Sequence, residues 1–162
     1  MMQFDSTPRA LRRAFLTLLA SAGTARWSVA PAAQTPPPVL KVVATFSVLA
    51  DIAREVGGTA VEVTALVGPN ADAHVFEPTP SDVRRVASAD VEVTNGLRYE
   101  GWIDRLIKAS GFRGPVVVAS QGVVTRGVSG GADPHAWQSL ANGQRYAENI
   151  RAVLVAALQA LQ

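Results

Sequence analysis

Two histidines are the residues in this sequence best suited to bind a ligand through defined chemistry. His74 lies in residues 68–79 (GPNADAHVFEPT) and His135 in residues 132–139 (ADPHAWQS), and the 162-residue chain has no other histidine. Neutral imidazole nitrogens bind zinc, and they bind harder ions when carboxylates complete the coordination. The sequence therefore predicts a site for a divalent transition metal ion, Zn²⁺ or Mn²⁺, with His74 and His135 as ligands.

Three carboxylates near the histidines, those of Asp72, Glu77 and Asp133, are candidates to orient the rings through their second nitrogens. Two other interpretations compete with metal capture. Each histidine could be an ordinary solvated loop residue. Alternatively, the pair could hold a catalytic zinc, with Glu77 as the general base of a hydrolase. Such a site needs a third protein ligand, and no His-x-x-x-His or His-Glu-x-x-His pattern supplies one. Binding without enzymatic activity is therefore the favoured function.

Alternating strand-like and helix-like segments position the two histidines. Such alternation is typical of an α/β domain with a parallel four-stranded sheet flanked by helices. The predicted strands are residues 39–46, 61–67, 91–94 and 115–119. His74 follows the second strand and His135 the fourth. Because the carboxyl ends of parallel strands meet at one edge of the sheet, both histidines are expected at that edge.

Capping and turn residues mark the ends of the predicted helices. Ser47 is predicted to cap the first helix, and Gly57-Gly58 to end it. Pro80 is predicted to open the second helix, and a third covers residues 100–110. Residues 127–131 (GVSGG) are expected to form a flexible loop, because no Lys-Ser/Thr pair follows them to make a phosphate-binding turn.

The last segment is predicted to be a long amphipathic helix running from Ser139 to Gln162. Near Gln162 there is no glycine, no proline and no basic last turn that would end the helix. The spacing predicts that one apolar stripe faces a packing partner, and we expect the chain to end before that partner surface does. The stripe consists of Leu140, Tyr146, Ile150, Val153, Leu154, Ala157, Leu158 and Leu161.

The first 33 residues have the pattern of an export signal. Arg12 and Arg13 contribute to a basic start, residues 14–22 (AFLTLLASA) form an apolar stretch too short to span a bilayer, and residues 30–32 (APA) resemble a cleavage site. The paired arginines also resemble a twin-arginine signal, although paired arginines occur in ordinary signals too. Residues 34–38 (QTPPP) are expected to form a stiff spacer. A periplasmic location is predicted.

The net charge of +2 comes from the export signal. Residues 1–33 contain four arginines and one acidic residue, Asp5, which leaves 11 basic and 12 acidic residues in the remainder. That balance, without a basic stripe, argues against nucleic-acid binding. The sequence contains no cysteine, which excludes a disulfide framework, a thiolate site and a lipid-bearing cysteine within it.

Three ordered motifs resemble a known family from about Lys41 onward. They are residues 72–82 (DAHVFEPTPSD), residues 95–102 (NGLRYEGW) and residues 133–137 (DPHAW). These resemble the first-ligand loop, a strand-to-helix turn and the second-ligand motif of the periplasmic metal-binding proteins that serve zinc and manganese ABC importers. The histidine-rich insertion common in zinc-dedicated members is absent from this sequence.

The resemblance implies a protein of two α/β lobes that bind one metal ion in the cleft between them. Residues 39–138 then form the N-terminal lobe, and residues 139–162 begin the helix that connects the lobes. His74 and His135 match two of the four ligands, and the other two belong to a C-terminal lobe that this sequence does not contain. The implied partner is the membrane permease of an ABC importer, and a monomer is expected. A truncated, non-functional fragment is the remaining alternative.

Overall fold

The protein, described by a computed structural model over residues 38–128 and 131–161, contains a parallel four-stranded sheet. Its strands are β1 (Leu40–Phe46), β2 (Val61–Val67), β3 (Val91–Thr94) and β4 (Val116–Val118). The order across the sheet is β2-β1-β3-β4, with every pair parallel. The predicted fold class is confirmed. The predicted export signal and spacer residues 34–37 lie outside the described residues.

Strand β1 occupies the interior of the sheet because its sequence, LKVVATF, is apolar on both faces. Six of its seven residues are buried, and only Lys41 is exposed. A parallel strand covered on both faces needs such a nearly continuous apolar run. This places the carboxyl end of β1, at Phe46, in the middle of the edge where both histidine loops begin.

Four helices flank the sheet: α1 (Ser47–Gly57), α2 (Pro80–Ala87), α3 (Ile103–Ser110) and α4 (Leu140–Ala160). Helix α2 opens with Pro80 as predicted, and the Asp82 carboxylate accepts hydrogen bonds from the Thr79 amide and hydroxyl. The prediction that Ser47 caps α1 is wrong, because Phe46 holds the cap position and Ser47 is already helical. Gly58, at φ +53°, ends α1 as expected.

Helix α3 begins three residues later than predicted, at Ile103, and a left-handed turn precedes residues 99–102. Gly96, Leu97 and Arg98 have φ values of +81°, +53° and +62°. A side chain at Gly96 would also clash, since its Cβ would lie 2.5 Å from Val118 Cγ1. Left-handed backbone costs about 1–2 kcal/mol at a non-glycine residue, so the turn must be held by surrounding contacts.

The segment predicted as a flexible loop is partly ordered instead. Gly127–Val128 (β5) and Gly131–Ala132 (β6) pair in antiparallel fashion. This short ribbon lies between β4 and the His135 segment. The prediction of an irregular loop over residues 127–131 is therefore wrong at its ends.

Helix α4 packs on the domain through only part of the predicted apolar stripe. Tyr146, Ile150 and Leu154 are buried, with Leu154 at 2% exposure. Val153, Ala157 and Leu158 are partly buried and pack against the same core. The prediction is wrong at the two ends of the stripe, since Leu140 is 86% exposed and Leu161 is 49% exposed. Ser139 occupies the cap position, but its side chain makes no capping hydrogen bond. No helix within the described residues is long and apolar enough to cross a membrane.

Candidate metal site

The loop carrying His74 is anchored on both sides of that residue. Asp72 Oδ1 accepts a hydrogen bond from the His74 backbone amide at 2.8 Å. The buried indole of Trp102 donates from Nε1 to the Ala73 carbonyl at 2.7 Å. The ring of Phe76 packs edge-on against Trp102. Helix α3 and its preceding turn therefore fix the His74 loop through the Trp102 side chain.

The His135 ring is oriented by Asp133, as the sequence predicted. Asp133 Oδ1 accepts hydrogen bonds from the His135 backbone amide at 3.0 Å and from Nδ1 of the ring at 2.9 Å. The hydrogen bonds from the His135 amide and then its ring lower the pKa of Asp133, which keeps it a carboxylate. A carboxylate accepting from Nδ1 places the imidazole proton there and leaves a lone pair on Nε2.

The two imidazoles meet with Nε2 of His74 3.2 Å from Nε2 of His135. Two nitrogens bound tetrahedrally to one zinc at about 2.0–2.1 Å would lie about 3.3 Å apart. With the His135 lone pair on Nε2, this distance fits two arrangements. His74 can donate a hydrogen bond from its Nε2 to that lone pair, or both Nε2 atoms can bind one cation. The sequence prediction that both histidines share one edge is confirmed, with the nitrogens at the spacing of neighbouring ligands.

Tyr99 contacts both imidazoles, a role that no local pattern of residues predicts. Its ring centroid is 4.3 Å from that of His74 and 5.5 Å from that of His135. Trp137 and Phe46 pack behind it, each about 5 Å away. Burial, then the Asp72 and Glu100 charges, raises the pKa of Tyr99. This aromatic cluster limits the rotations available to both histidine rings.

The left-handed turn that presents Tyr99 is held by the buried carboxylate of Glu100. Glu100 Oε1 accepts a hydrogen bond from the Thr45 hydroxyl at 2.6 Å and another from the backbone amide of Asn95 at 2.7 Å. Its second oxygen accepts from the Gly96 amide at 3.3 Å. These bonds supply the outside support that a strained turn requires.

Asn95, at the end of β3, connects three parts of the site. Its Nδ2 donates to the carbonyls of Gly96 and Pro134, each at 3.0 Å. Its Oδ1 accepts from the Tyr146 hydroxyl on α4 at 2.6 Å. Two carbonyls at one end and a hydroxyl donor at the other fix the orientation of the amide. Asn95 therefore ties the residue before His135 to both the turn and α4.

The other carboxylates predicted to orient the rings are placed differently. Asp72 bonds the backbone of His74 and not its ring. Glu77 lines a groove with Phe76 and Trp102 and, among the described residues, hydrogen-bonds neither imidazole. Within residues 38–128 and 131–161 there is no group of three or more potential metal ligands. The described residues therefore bring together two nitrogen donors and one orienting carboxylate.

Comparison with known proteins identifies relatives with named metal partners. The chain is 33% identical over 152 residues to the iron-binding protein YfeA of Yersinia pestis. The alignment covers 88% of this chain and 46% of YfeA. It is 37% identical over 128 residues to the manganese ABC transporter substrate-binding lipoprotein PsaA of Streptococcus pneumoniae, covering 72% and 41%. The chain thus spans less than half the length of these relatives.

Solved structures agree with the fold. A manganese-bound periplasmic metal-binding protein from Candidatus Liberibacter asiaticus superposes with a TM-score of 0.67 at 32% identity, over 73% of this chain and 46% of that one. Zinc-bound AdcA from Streptococcus pneumoniae gives 0.65 at 26% identity, over 74% and 26%. The model of the ZnuA family, the periplasmic zinc-uptake complex component A, matches residues 42–161. The chain therefore belongs to the ZnuA family of metal-transport binding proteins.

Proposed function

We propose that this chain is the N-terminal part of a solute-binding protein that captures a divalent transition metal ion for an ABC importer, with His74 and His135 as two of its ligands. The observation that carries this proposal is the 3.2 Å separation of the two Nε2 atoms. That distance suits two ligands of one ion, and the Asp133 hydrogen bond prepares the His135 Nε2 lone pair for binding.

The ion is zinc or manganese on the chemistry of these donors, because imidazole binds both and carboxylates extend the range toward manganese. Named relatives bind manganese, iron or zinc. The remaining ligands are supplied by a second lobe, since two histidines provide half of a four-coordinate shell. Transport-family membership favours this function over a zinc hydrolase with Glu77 as base.

The protein acts in the periplasm as a monomer. Closure of the cleft buries the ion between the lobes, and the closed form is presented to the membrane permease. The family description and the export-signal pattern of residues 1–33 support this location. Binding and release are the whole of its function, without chemical turnover. Replacing Arg12 and Arg13 by lysine would distinguish a twin-arginine route, which requires both arginines, from general secretion.

Calorimetric titration of Zn²⁺ and Mn²⁺ into the full chain tests the ligand assignment. His74→Ala and His135→Ala should each abolish most of the binding heat, because the sequence contains no third histidine to replace either one. Binding should also weaken as the pH falls, since a protonated imidazole cannot ligate a metal.

Glu77→Ala provides the control, because Glu77 lies three residues from His74 and hydrogen-bonds neither ring among the described residues. Its affinity should equal that of the parent. If both histidine variants bind metal as well as the parent, the histidines are not ligands and the proposed site is wrong.

A further inference from the structure

Three side chains on one face of α4 hold the loops at the carboxyl edge of the sheet. Asn142, Tyr146 and Asn149 are spaced four and three residues apart, which places them on one side of the helix. Asn142 Nδ2 donates to the carbonyls of Ala136 and Val124, each at 3.0 Å. Only the first of these contacts reaches the segment that carries His135.

A second connection runs from Tyr146 through Asn95 to Pro134, the residue that precedes His135. The Tyr146 hydroxyl donates to Asn95 Oδ1, and Asn95 Nδ2 donates to the Pro134 carbonyl. Burial, followed by the Glu100 charge, raises the pKa of Tyr146 to about 12, so its hydroxyl remains a donor at physiological pH. The residues immediately before and after His135 are therefore both hydrogen-bonded to α4 or to a residue that α4 holds.

The His74 loop is held mainly by anchors outside α4. Its hydrogen bonds come from Asp72 within the loop and from Trp102 at the start of α3. None of the three polar side chains of α4 described above hydrogen-bonds this loop within the described residues. A small displacement of α4 would therefore act on the His135 segment through direct hydrogen bonds, and on His74 only indirectly through Asn95 and the turn at Gly96. The distance between the two Nε2 atoms would change as a result.

We propose that Asn142 and Tyr146 are positioning residues for His135, so that the placement of α4 sets the separation of the two imidazoles. This inference rests on the proposed function, in which both imidazoles bind one ion. It implies reciprocity: metal that bridges the two loops should in turn stabilise the hydrogen bonds between the His135 segment and α4.

Asn149 offers a matched control on the same helix. Its amide also donates two hydrogen bonds to loop carbonyls, those of Ala119 at 2.8 Å and Gln121 at 2.9 Å. These residues follow β4 and do not belong to the His135 segment. Asn142→Ala and Asn149→Ala therefore each remove two comparable bonds, and only the first loosens the segment next to a proposed ligand.

Zinc titration of the full chain and of these variants tests the inference. Asn142→Ala should weaken zinc affinity by about tenfold, the lower end of what outer-shell groups contribute at metal sites. Tyr146→Phe, which keeps the buried ring and removes only the hydroxyl, should weaken it in the same direction. Asn149→Ala should bind zinc like the parent, even if its thermal midpoint falls as much as that of Asn142→Ala. Equal affinity in all variants, or an equal loss in all, would overturn the assignment.

Hydrogen exchange without metal separates this inference from the proposed function. The amides of Gln138 and Ser139 bond the carbonyls of His135 and Ala136, and they report on the turn that follows His135. They should exchange faster in Asn142→Ala than in Asn149→Ala. If the parent binds no zinc but this difference appears, the metal function fails and the positioning role stands. If the exchange rates are the same, the positioning role fails whatever the metal result.

Discussion

Asp72 and Asp133 stand two residues before the two histidines, and each accepts a hydrogen bond from the histidine's own backbone amide. Among the described residues, only Asp133 also accepts a hydrogen bond from the ring, at Nδ1 of its histidine. The same local pattern therefore fixes one imidazole directly and the other only through its backbone. The Tyr99 ring packs against the His74 ring at 4.3 Å, supplying contact where no carboxylate orients it.

Neutralising Asp133 should impair metal binding more than neutralising Asp72. In Asp133→Asn the side-chain oxygen can still accept a hydrogen bond, but the negative charge that raises imidazole basicity is lost. Zinc affinity should fall by about 10–100-fold, as for other outer-shell partners of metal-binding histidines. Calorimetric titration of the full chain at neutral pH measures the change.

Asp72→Asn is the matched control, because it removes the same charge from the same position relative to a histidine while retaining an acceptor for the backbone amide. We expect a smaller loss there. Equal losses in the two variants would mean that negative charge near the site matters and ring orientation does not.

At this scale the sequence predicted that the two histidines meet at one edge and that Asp133 orients a ring, because these residues are rare or adjacent. It did not identify Asn95 or Tyr146. Their hydrogen bond joins residues 51 positions apart, and the bond from Asn95 to Pro134 spans 39. Such contacts depend on how α4 crosses the sheet, and no local spacing encodes that crossing.

Strand β3 carries a glutamate that its local pattern would place in solvent. The sequence VEVT alternates apolar and polar residues, yet all four side chains are buried. Neither carboxylate oxygen of Glu92 has a hydrogen-bond partner within the described residues. Burial, followed by the charge of Glu100, raises the pKa of Glu92 from 4.5 to about 9. The native domain therefore holds Glu92 protonated at neutral pH.

This protonation predicts a domain that loses stability as the pH rises. The folded chain keeps the proton up to about pH 9, whereas the unfolded chain releases it near 4.5. The contribution of Glu92 to stability is thus greatest below pH 4.5, and it declines by up to about 1.4 kcal/mol per pH unit until pH 9. Glu92→Gln should remove this decline. The unfolding free energy of the variant minus that of the parent should therefore increase by roughly 1–4 kcal/mol between pH 5.5 and 8.5.

Urea unfolding of the parent, Glu92→Gln and Glu62→Gln at these two pH values measures the effect. Glu62 lies exposed on β2, so its variant should follow the parent at both. A constant difference between Glu92→Gln and the parent would show that Glu92 is already ionised in the native chain at pH 5.5.

Element types followed from the sequence better than element boundaries did. Apolar runs and apolar–polar alternation predicted the four strands of the sheet, and Gly57-Gly58 and Pro80 marked real helix ends. The start of α3 was missed because Glu100, predicted to begin the helix, lies before it and uses its carboxylate to accept hydrogen bonds from distant or preceding groups. The β5–β6 ribbon was missed because two-residue strands rich in glycine have no period to detect.

At the scale of the whole molecule, the described residues present two of the four donors that the proposed metal site requires. Two imidazole nitrogens converge, and within residues 38–128 and 131–161 no third donor joins them. The family relatives are more than twice as long as the parts that match this chain. A cleft between two lobes would supply both the missing donors and the exclusion of water, which strengthens each metal–ligand interaction.

This chain by itself should therefore bind zinc weakly and discriminate poorly between zinc and manganese. Measured beside the full-length zinc-binding relative AdcA, its zinc affinity should be lower by at least about tenfold, or about 1.4 kcal/mol. The physical reason is that water must occupy the positions a second lobe would fill. Competition titration with a metal indicator gives the affinities, and light scattering gives the mass of the complex. A one-to-one complex of monomeric mass is expected. Affinity equal to that of the relative, or one zinc held between two chains, would show that the shell is completed without a second lobe.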